Sequence, residues 1–312
     1  ILLIMSNYPK ITIIIPCKNA EMTIKKTFDS IRSQNYKNIE CIVMDGNSSD
    51  NTMKIVNNNL DIVSKVISEK DESGAAACNK AIGLSSGDII GFLYADDYFE
   101  DNSLQLISNA VIDNPSCDIY SYGLSIEDLY SKKVIFESCL KRNISLCLNN
   151  VLFKHVLNHF YRREVFMKYG LLRPLYFDGT IFFSNDREFL IRLCLNNLKN
   201  HVIEKVLYKM TSHKESYTGS RKNIVKIREE HIGIADYYLE KNHISNYKRK
   251  KLKDFKSHNL SLLVVYYLYK LDVKKIQHYL KIGLELKGII FLIEIIRCPI
   301  SEIFYRLSVK KW

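Results

Sequence analysis

Residues 88–97 read D-I-I-G-F-L-Y-A-D-D, an apolar run that ends in two adjacent carboxylates. The run from Ile89 to Ala95 predicts a central strand buried on both faces, as in a parallel sheet covered by helices. Asp96 and Asp97 then fall at the carboxyl end of that strand, where open α/β sheets bind their ligands. Neighbouring acids repel each other unless a positive charge sits beside them, and hard oxygen ligands suit Mg²⁺ or Mn²⁺ carrying a diphosphate. An isolated acid pair is more often a solvated turn, so its meaning depends on the rest of the chain.

Upstream, strand and helix signals alternate. Ile11 to Ile15 is a β-branched run closed by Pro16, and Ala20 to Gln34 carries Ile24, Phe28 and Ile31 at helical spacing. Glu40 to Met44 reads as a second strand. The turn-forming stretch Asp45 to Thr52 follows it, with Ser49 or Asp50 as the cap of a helix over Thr52 to Asn58. Val63 to Ile67 predicts a third strand and Gly74 to Leu84 a helix. This order is the βαβ pattern of a mainly parallel sheet flanked by helices. The polar residues after each strand then gather at one rim: Pro16-Cys17-Lys18-Asn19, Asp45-Gly46-Asn47, Glu69-Lys70-Asp71 and Asp96-Asp97. Their convergence predicts a nucleotide site. The chain has neither a P-loop nor a G-x-G-x-x-G fingerprint.

With 312 residues, 47% of them apolar, the chain can bury one large core or two modest ones. Its cysteines (Cys17, Cys41, Cys78, Cys117, Cys139, Cys147, Cys194 and Cys298) show neither a C-x-x-C pair nor zinc spacing, which fits a reducing cytoplasm. Ile1 to Ile4 are too few for a signal-peptide core, and Met5 is a candidate start, so residues 1–9 are set apart as an extension. The formal net charge of +11 is placed unevenly. Residues 221–312 hold 20 Lys/Arg against 9 Asp/Glu, and the remaining 25 of each sign cancel. The charge step predicts an α/β region over 10–220 and a basic helical region over 221–312.

Five ordered blocks resemble the family 2 glycosyltransferases, inverting enzymes of GT-A fold. They are I-T-I-I-I-P-C-K-N-A, S-I-R-S-Q-N-Y-K-N-I-E-C-I-V-M-D-G-N-S-S-D-N-T, S-E-K-D-E-S-G-A-A-A-C-N-K-A-I-G-L-S-S-G-D-I-I-G-F-L-Y-A-D-D, F-Y-R-R-E-V-F-M-K-Y-G and N-D-R-E-F-L-I-R-L. The resemblance covers residues 10–215 and implies a metal-dependent transfer of a sugar from a nucleotide diphosphate donor, with UDP-sugars favoured. It implies that Asp45 contacts the base, with Pro16 and Asn19 lining the same pocket. Asp71 matches a second nucleotide-contacting acid, and Asn79-Lys80 the motif flanking the diphosphate. Asp96 and Asp97 match the end of the element that holds Mn²⁺ or Mg²⁺, whereas Tyr94 stands where some members carry a further acid. Asp186 matches the general base that takes the acceptor hydroxyl's proton. Its position before an amphipathic helix also suits an N-terminal cap. Lys18, Lys70 and Lys80 are available to assist the leaving group, or to sit in water.

The resemblance places residues 150–170 on the acceptor side, with His155 or His159 as candidate acceptor contacts and a glycan or lipid-linked saccharide as acceptor. Tyr176, Phe177, Phe182 and Phe183 are candidates for stacking on a sugar or packing in a core. In the tail, K-R-K-K-L-K-D-F-K precedes the apolar stretch Leu260 to Leu271, and no apolar run is long enough to span a bilayer. Two readings of this tail stay open: a helical region lying on an anionic inner leaflet, or an ordinary helical subdomain with solvated lysines. The charge comes with no nucleic-acid fold pattern, so no nucleic-acid partner is expected. A nucleotidyltransferase would need a Gly/Arg-rich phosphate loop after the first strand, and P-C-K-N-A lacks one. A catalytically dead binding module stays open through Tyr94 alone.

Overall fold

The computed structural model of the chain describes residues 8–138, 147–153, 157–173, 184–213 and 223–297. The chain divides into two compact units, one of residues 1–150, 154–174 and 192–212, the other of 151–153, 175–191 and 213–312.

The first unit opens with β1 (Ile11–Cys17), α1 (Ile24–Arg32), β2 (Ile39–Asp45), α2 (Thr52–Asn57), β3 (Lys65–Ser68), α3 (Gly74–Leu84) and β4 (Ile89–Phe92). The order β3-β2-β1-β4 is parallel throughout, as the alternating sequence pattern predicts. The β-branched run of β1 is buried on both faces, with Ile11, Ile13, Ile14 and Ile15 fully enclosed. α1 starts at Ile24 instead of Ala20 because Asn19 takes a left-handed φ of +50° and the N–H groups of Thr23 and Ile24 close a turn on the Ala20 carbonyl. β4 stops at Phe92, short of Ala95, because the Asp97 N–H turns back to the Tyr94 carbonyl at 3.0 Å.

Beyond β4 the sheet becomes mixed. It adds β5 (Tyr98–Phe99), β6 (Ile119–Asp128), β7 (Val134–Glu137), β8 (Leu157–Arg162) and β9 (Asn200–Ser212), with α4 (Ser103–Asp113), α5 (Leu148–Phe153), α6 (Arg163–Tyr169) and α7 (Asn185–Leu195) in the connections. The order continues β4-β8-β6-β9-β5, with β8 antiparallel to both its neighbours and β6 parallel to β9. Gly91 of β4 faces Phe160 of β8 so closely that a Cβ would lie 2.2 Å from the ring, so only glycine admits this pairing.

A buried acid ties the foot of the parallel strands. Glu40 accepts from the Thr12 hydroxyl (2.7 Å), the Ser86 N–H (2.7 Å) and hydroxyl (2.8 Å), and the Lys65 ammonium (3.1 Å). Burial alone would raise its pKa, but these donors outweigh burial and hold it at about 2.

In the second unit, α8 (Ile224–Leu239), α9 (Asn246–Lys270), α10 (Val273–Lys287) and α11 (Ile290–Arg297) pack around Leu260, Leu263, Val264, Tyr279 and Phe291. A Cβ on Gly283 would meet the Phe291 ring at 2.0 Å, so this glycine lets α10 and α11 approach. Part of the basic run is structural. The Arg249 guanidinium donates to the carbonyls of Leu239 and Lys241, both at 2.6 Å, closing the end of α8, and Lys256 pairs with Asp236 at 2.6 Å.

Because the folded pKa of Glu40 is depressed, its stabilisation is complete above about pH 4.5 and is lost as pH falls towards about 2. Glu40→Gln is expected to cost about 1–3 kcal/mol at neutral pH by leaving donors without a charged acceptor. Urea unfolding across pH 2–7 is expected to show a flatter acid limb in the variant than in the parent.

Candidate functional site

The carboxyl ends of β1, β2, β3 and β4 meet at one rim, and the loops there are laced to one another. The Asn19 N–H donates to the Ser48 hydroxyl (2.8 Å), and the Ser49 N–H donates to Asn19 Oδ1 (2.9 Å). Glu21 Oε2 accepts from both the N–H (2.9 Å) and side-chain amide (2.7 Å) of Asn51. Asn47 takes a left-handed φ of +60°, so both loops use asparagines where most residues would be strained. Pro16 lies within β1, in register with Met44.

Asp45 is fully buried. Its Oδ1 accepts from the Ser48 hydroxyl, and its Oδ2 from the Ser48 N–H (3.1 Å) and the Ser68 hydroxyl (2.6 Å). The thiol of Cys17 lies 3.8 Å from Oδ1, and its pKa is driven far up by burial and by the charge of Asp45. Asp45 thus joins the ends of β1, β2 and β3, and Ser48 and Ser68 are partners that the linear sequence did not single out.

At the end of β3, Lys80 reaches Glu69 at 2.5 Å and Asp71 Oδ1 at 2.6 Å. These two acids raise the pKa of the lysine, so it stays a cation. The other oxygen of Asp71, Oδ2, is buried and has no hydrogen-bond partner. An orphaned buried acceptor costs about 1–3 kcal/mol, which a donor group on a bound ligand would recover.

Three of the predicted site residues are held by contacts within the chain itself. Asp97 is buried, its Oδ1 accepting from the Thr211 N–H (2.7 Å) and its Oδ2 from the Tyr208 hydroxyl (2.6 Å). Burial and the neighbouring Asp96 charge push its pKa well above the carboxylate range, against the pull of these two donors. The Asn79 amide donates to the Leu172 carbonyl (2.6 Å) and accepts from the Leu172 N–H (3.0 Å), clamping α3 to the loop after α6. His159 lies inside the sheet on β8, where its Nδ1 meets the Ser121 hydroxyl at 2.8 Å. Burial lowers its pKa to about 3 and keeps the ring neutral. His155, Tyr176, Phe177, Phe182 and Phe183 lie outside the described residues.

Asp96 is left as the half-buried acid at the end of β4. Among the described residues no three His, Cys, Asp or Glu side chains gather to cage a metal. The carboxylate of Asp96 is a hard oxygen donor of the kind that Mg²⁺ and Mn²⁺ take.

In the second unit, Asp186 stands at the start of α7 with its Oδ1 accepting from the Arg187 N–H at 2.6 Å. The surrounding protein raises its pKa, opposed by the Arg187 charge and N–H. The side chain is exposed, and solvent tempers that shift. The residues behind it are buried and tied down: Arg187 donates to the Val151 and Leu152 carbonyls (3.1 and 3.0 Å), and Glu188 accepts from the Tyr238 hydroxyl.

Tyr208 is a residue no sequence pattern flagged. Its hydroxyl donates to Asp97 and also accepts from the Tyr94 N–H at 3.3 Å, spanning the turn that carries Asp96. Tyr208→Phe is expected to strand a buried carboxylate oxygen and to lower unfolding free energy by about 1–3 kcal/mol, as read by urea titration, with the far-UV spectrum unchanged.

A family model described as Glycosyl transferase family 2 matches residues 12–170. The chain is 32% identical over 158 residues to the Escherichia coli UDP-Glc:alpha-D-GlcNAc-diphosphoundecaprenol beta-1,3-glucosyltransferase WfgD, covering 48% of this chain and 62% of that protein. It thus spans less than two thirds of that relative's length. Among solved structures it resembles Staphylococcus aureus TarS 1–349 in complex with UDP-GlcNAc, with TM-score 0.67 and 19% identity over 89% of this chain and 81% of that one. It also resembles the Pyrobaculum calidifontis mannosyltransferase PcManGT with GDP-Man and Mn²⁺, with TM-score 0.59 and 16% identity over 97% and 87%. At these identities the two structures speak for the GT-A fold. With the family model covering half of the sequence and the rim built as described, the chain belongs to glycosyl transferase family 2.

Proposed function

We propose that this glycosyltransferase moves a sugar, with inversion at the anomeric carbon, from a UDP-sugar to a hydroxyl of a lipid-linked or growing surface glycan on the cytoplasmic side of the membrane. The observation that carries this reading is the rim itself, where the loop after β3 offers an unpartnered buried oxygen of Asp71 and the loop after β4 the half-buried carboxylate of Asp96, both at the carboxyl edge of one parallel sheet. The kinship with WfgD supports a nucleoside diphosphate donor and a diphosphate-lipid acceptor.

Asp71 Oδ2 accepts a donor group of the nucleoside. Pro16, Asn19 and the loop held by Asp45 form the wall against the base, with Asp45 acting through Ser48 and Ser68 to shape that wall. Asp96 holds Mn²⁺ or Mg²⁺, as the Mn²⁺ named with PcManGT supports. When bound, such a cation neutralises the charge developing on the departing diphosphate. Lys80, kept protonated by Glu69 and Asp71, adds a fixed positive charge at the β3 side of the rim. Asp186 takes the proton of the acceptor hydroxyl as its oxygen attacks the anomeric carbon, and the exposed carboxylate at a helix start suits that task. Its raised pKa means the base is lost as pH falls through a value above the ordinary aspartate range, so kcat declines on the acid side.

Purified protein incubated with Mn²⁺, a panel of UDP- and GDP-sugars and a polyprenyl-diphosphate-linked saccharide is expected to transfer sugar from at least one UDP-sugar. Thermal stabilisation by nucleotide sugars with no turnover on any acceptor would favour a binding module instead. Asp186→Asn is expected to lower kcat by about 10²–10⁴-fold with donor affinity retained. Asp96→Asn is expected to weaken Mn²⁺-dependent UDP binding measured by calorimetry. Loss of donor binding in Asp186→Asn would contradict the role of base.

A further inference from the structure

Helix α11 has its polarity reversed for a surface helix of a water-soluble unit. Its inward arc carries Phe291, which fills the space over Gly283, and the partly buried Ile295. The same arc carries the acid Glu294, whose Oε1 takes the Lys287 ammonium at 2.6 Å and whose Oε2 accepts from the Ser257 hydroxyl. The outward arc is apolar. Ile289, at the helix entry, is 75% exposed, Ile290 57%, Ile293 44% and Ile296 84%, with Leu292 at the edge. At a turn of 100° per residue these side chains form one stripe, whereas a helix packed on a soluble core turns such a stripe inward. Scattered exposed apolar residues are ordinary, but a contiguous row on one helix marks an interaction surface.

Charge identifies the partner. Across 270–297 the exposed charged residues are Lys270, Lys274, Lys275, Lys281 and Arg297, against Glu285 as the exposed acid. The turn between α9 and α10 adds Leu271 and Val273, 84% and 61% exposed. No described helix is long and apolar enough to cross a membrane. A short apolar stripe with lysine and arginine around it suits burial at the level of lipid headgroups, where acyl chains take the isoleucines and anionic headgroups the cations.

We propose that the outward face of α11, with the exposed basic residues of α10 and its flanking turns, docks the second unit onto an anionic lipid surface. This locates the membrane contact implied by a lipid-linked acceptor, and it stands or falls separately from the transfer chemistry. The full chain is expected to sediment with phosphatidylglycerol-containing vesicles and not with pure phosphatidylcholine vesicles, and to be released as salt rises. The double variant Ile293→Ser, Ile296→Ser is expected to weaken vesicle partition by at least about tenfold while leaving the melting temperature unchanged. Transfer to a water-soluble acceptor analogue by the same variant reports on the catalytic unit alone, so absence of transfer in the parent would sink the enzymatic reading without touching this one. Vesicle binding unaffected by the substitutions would overturn the proposal. So would a fall in melting temperature, which would mean that the stripe packs within the chain, or a parent dimer in light scattering that the variant abolishes, which would mean that a second copy covers it.

Discussion

Taking a carboxylate out of water costs several kcal/mol unless hydrogen-bond donors replace the water it loses. The rim of the first unit is organised around that constraint. Asp45 is surrounded by Ser48 and Ser68, and Asp97 by Tyr208 and Thr211, so each acid compels particular loops to meet. Because an unsatisfied buried acid is so costly, these contacts are held in one arrangement, and the exposed rim inherits their rigidity. Beside them, Asp71 keeps one buried oxygen, Oδ2, with no hydrogen-bond partner.

The foot of the sheet repeats the device with Glu40, where donors from β1, the β4 approach and β3 close on one carboxylate. The strands thus carry a saturated acid at their amino ends, and at their carboxyl ends a set of acids in which Asp71 keeps an unpartnered oxygen. Such polarity is what lets an α/β sheet carry ligands at one edge without loosening its core.

The second unit applies the same rule in reverse. Glu294 turns inward and is neutralised by Lys287, whose ammonium also holds Asp254 at 2.6 Å. The isoleucines of α11 face out. Lysines counted in the sequence as one basic tail thus fall into two populations, those that tie helices together and those that remain at the surface.

Much of the fold was legible in the sequence. The β-branched run Ile11 to Ile15, the period of α1 and the alternation through Leu84 depend on local composition, and hydrophobic periodicity reports that directly. The convergence of the strand-end loops was legible too, since right-handed βαβ connections leave few alternatives. What the linear order could not reveal was which member of an acid pair looks outward. Asp96 and Asp97 are chemically identical neighbours, and only Tyr208 and Thr211, more than a hundred residues away in the chain, decide that Asp97 is buried. The contacts of Asn79 with Leu172 and of His159 with Ser121 were hidden for the same reason, because the partners come together only through space. By itself the sequence determined the family, the parallel sense of the first strands and the acids available to the site, because these follow from local pattern and chain connectivity. Tertiary structure alone decided each acid's surroundings, because the donors that meet a carboxylate are brought to it by long-range packing.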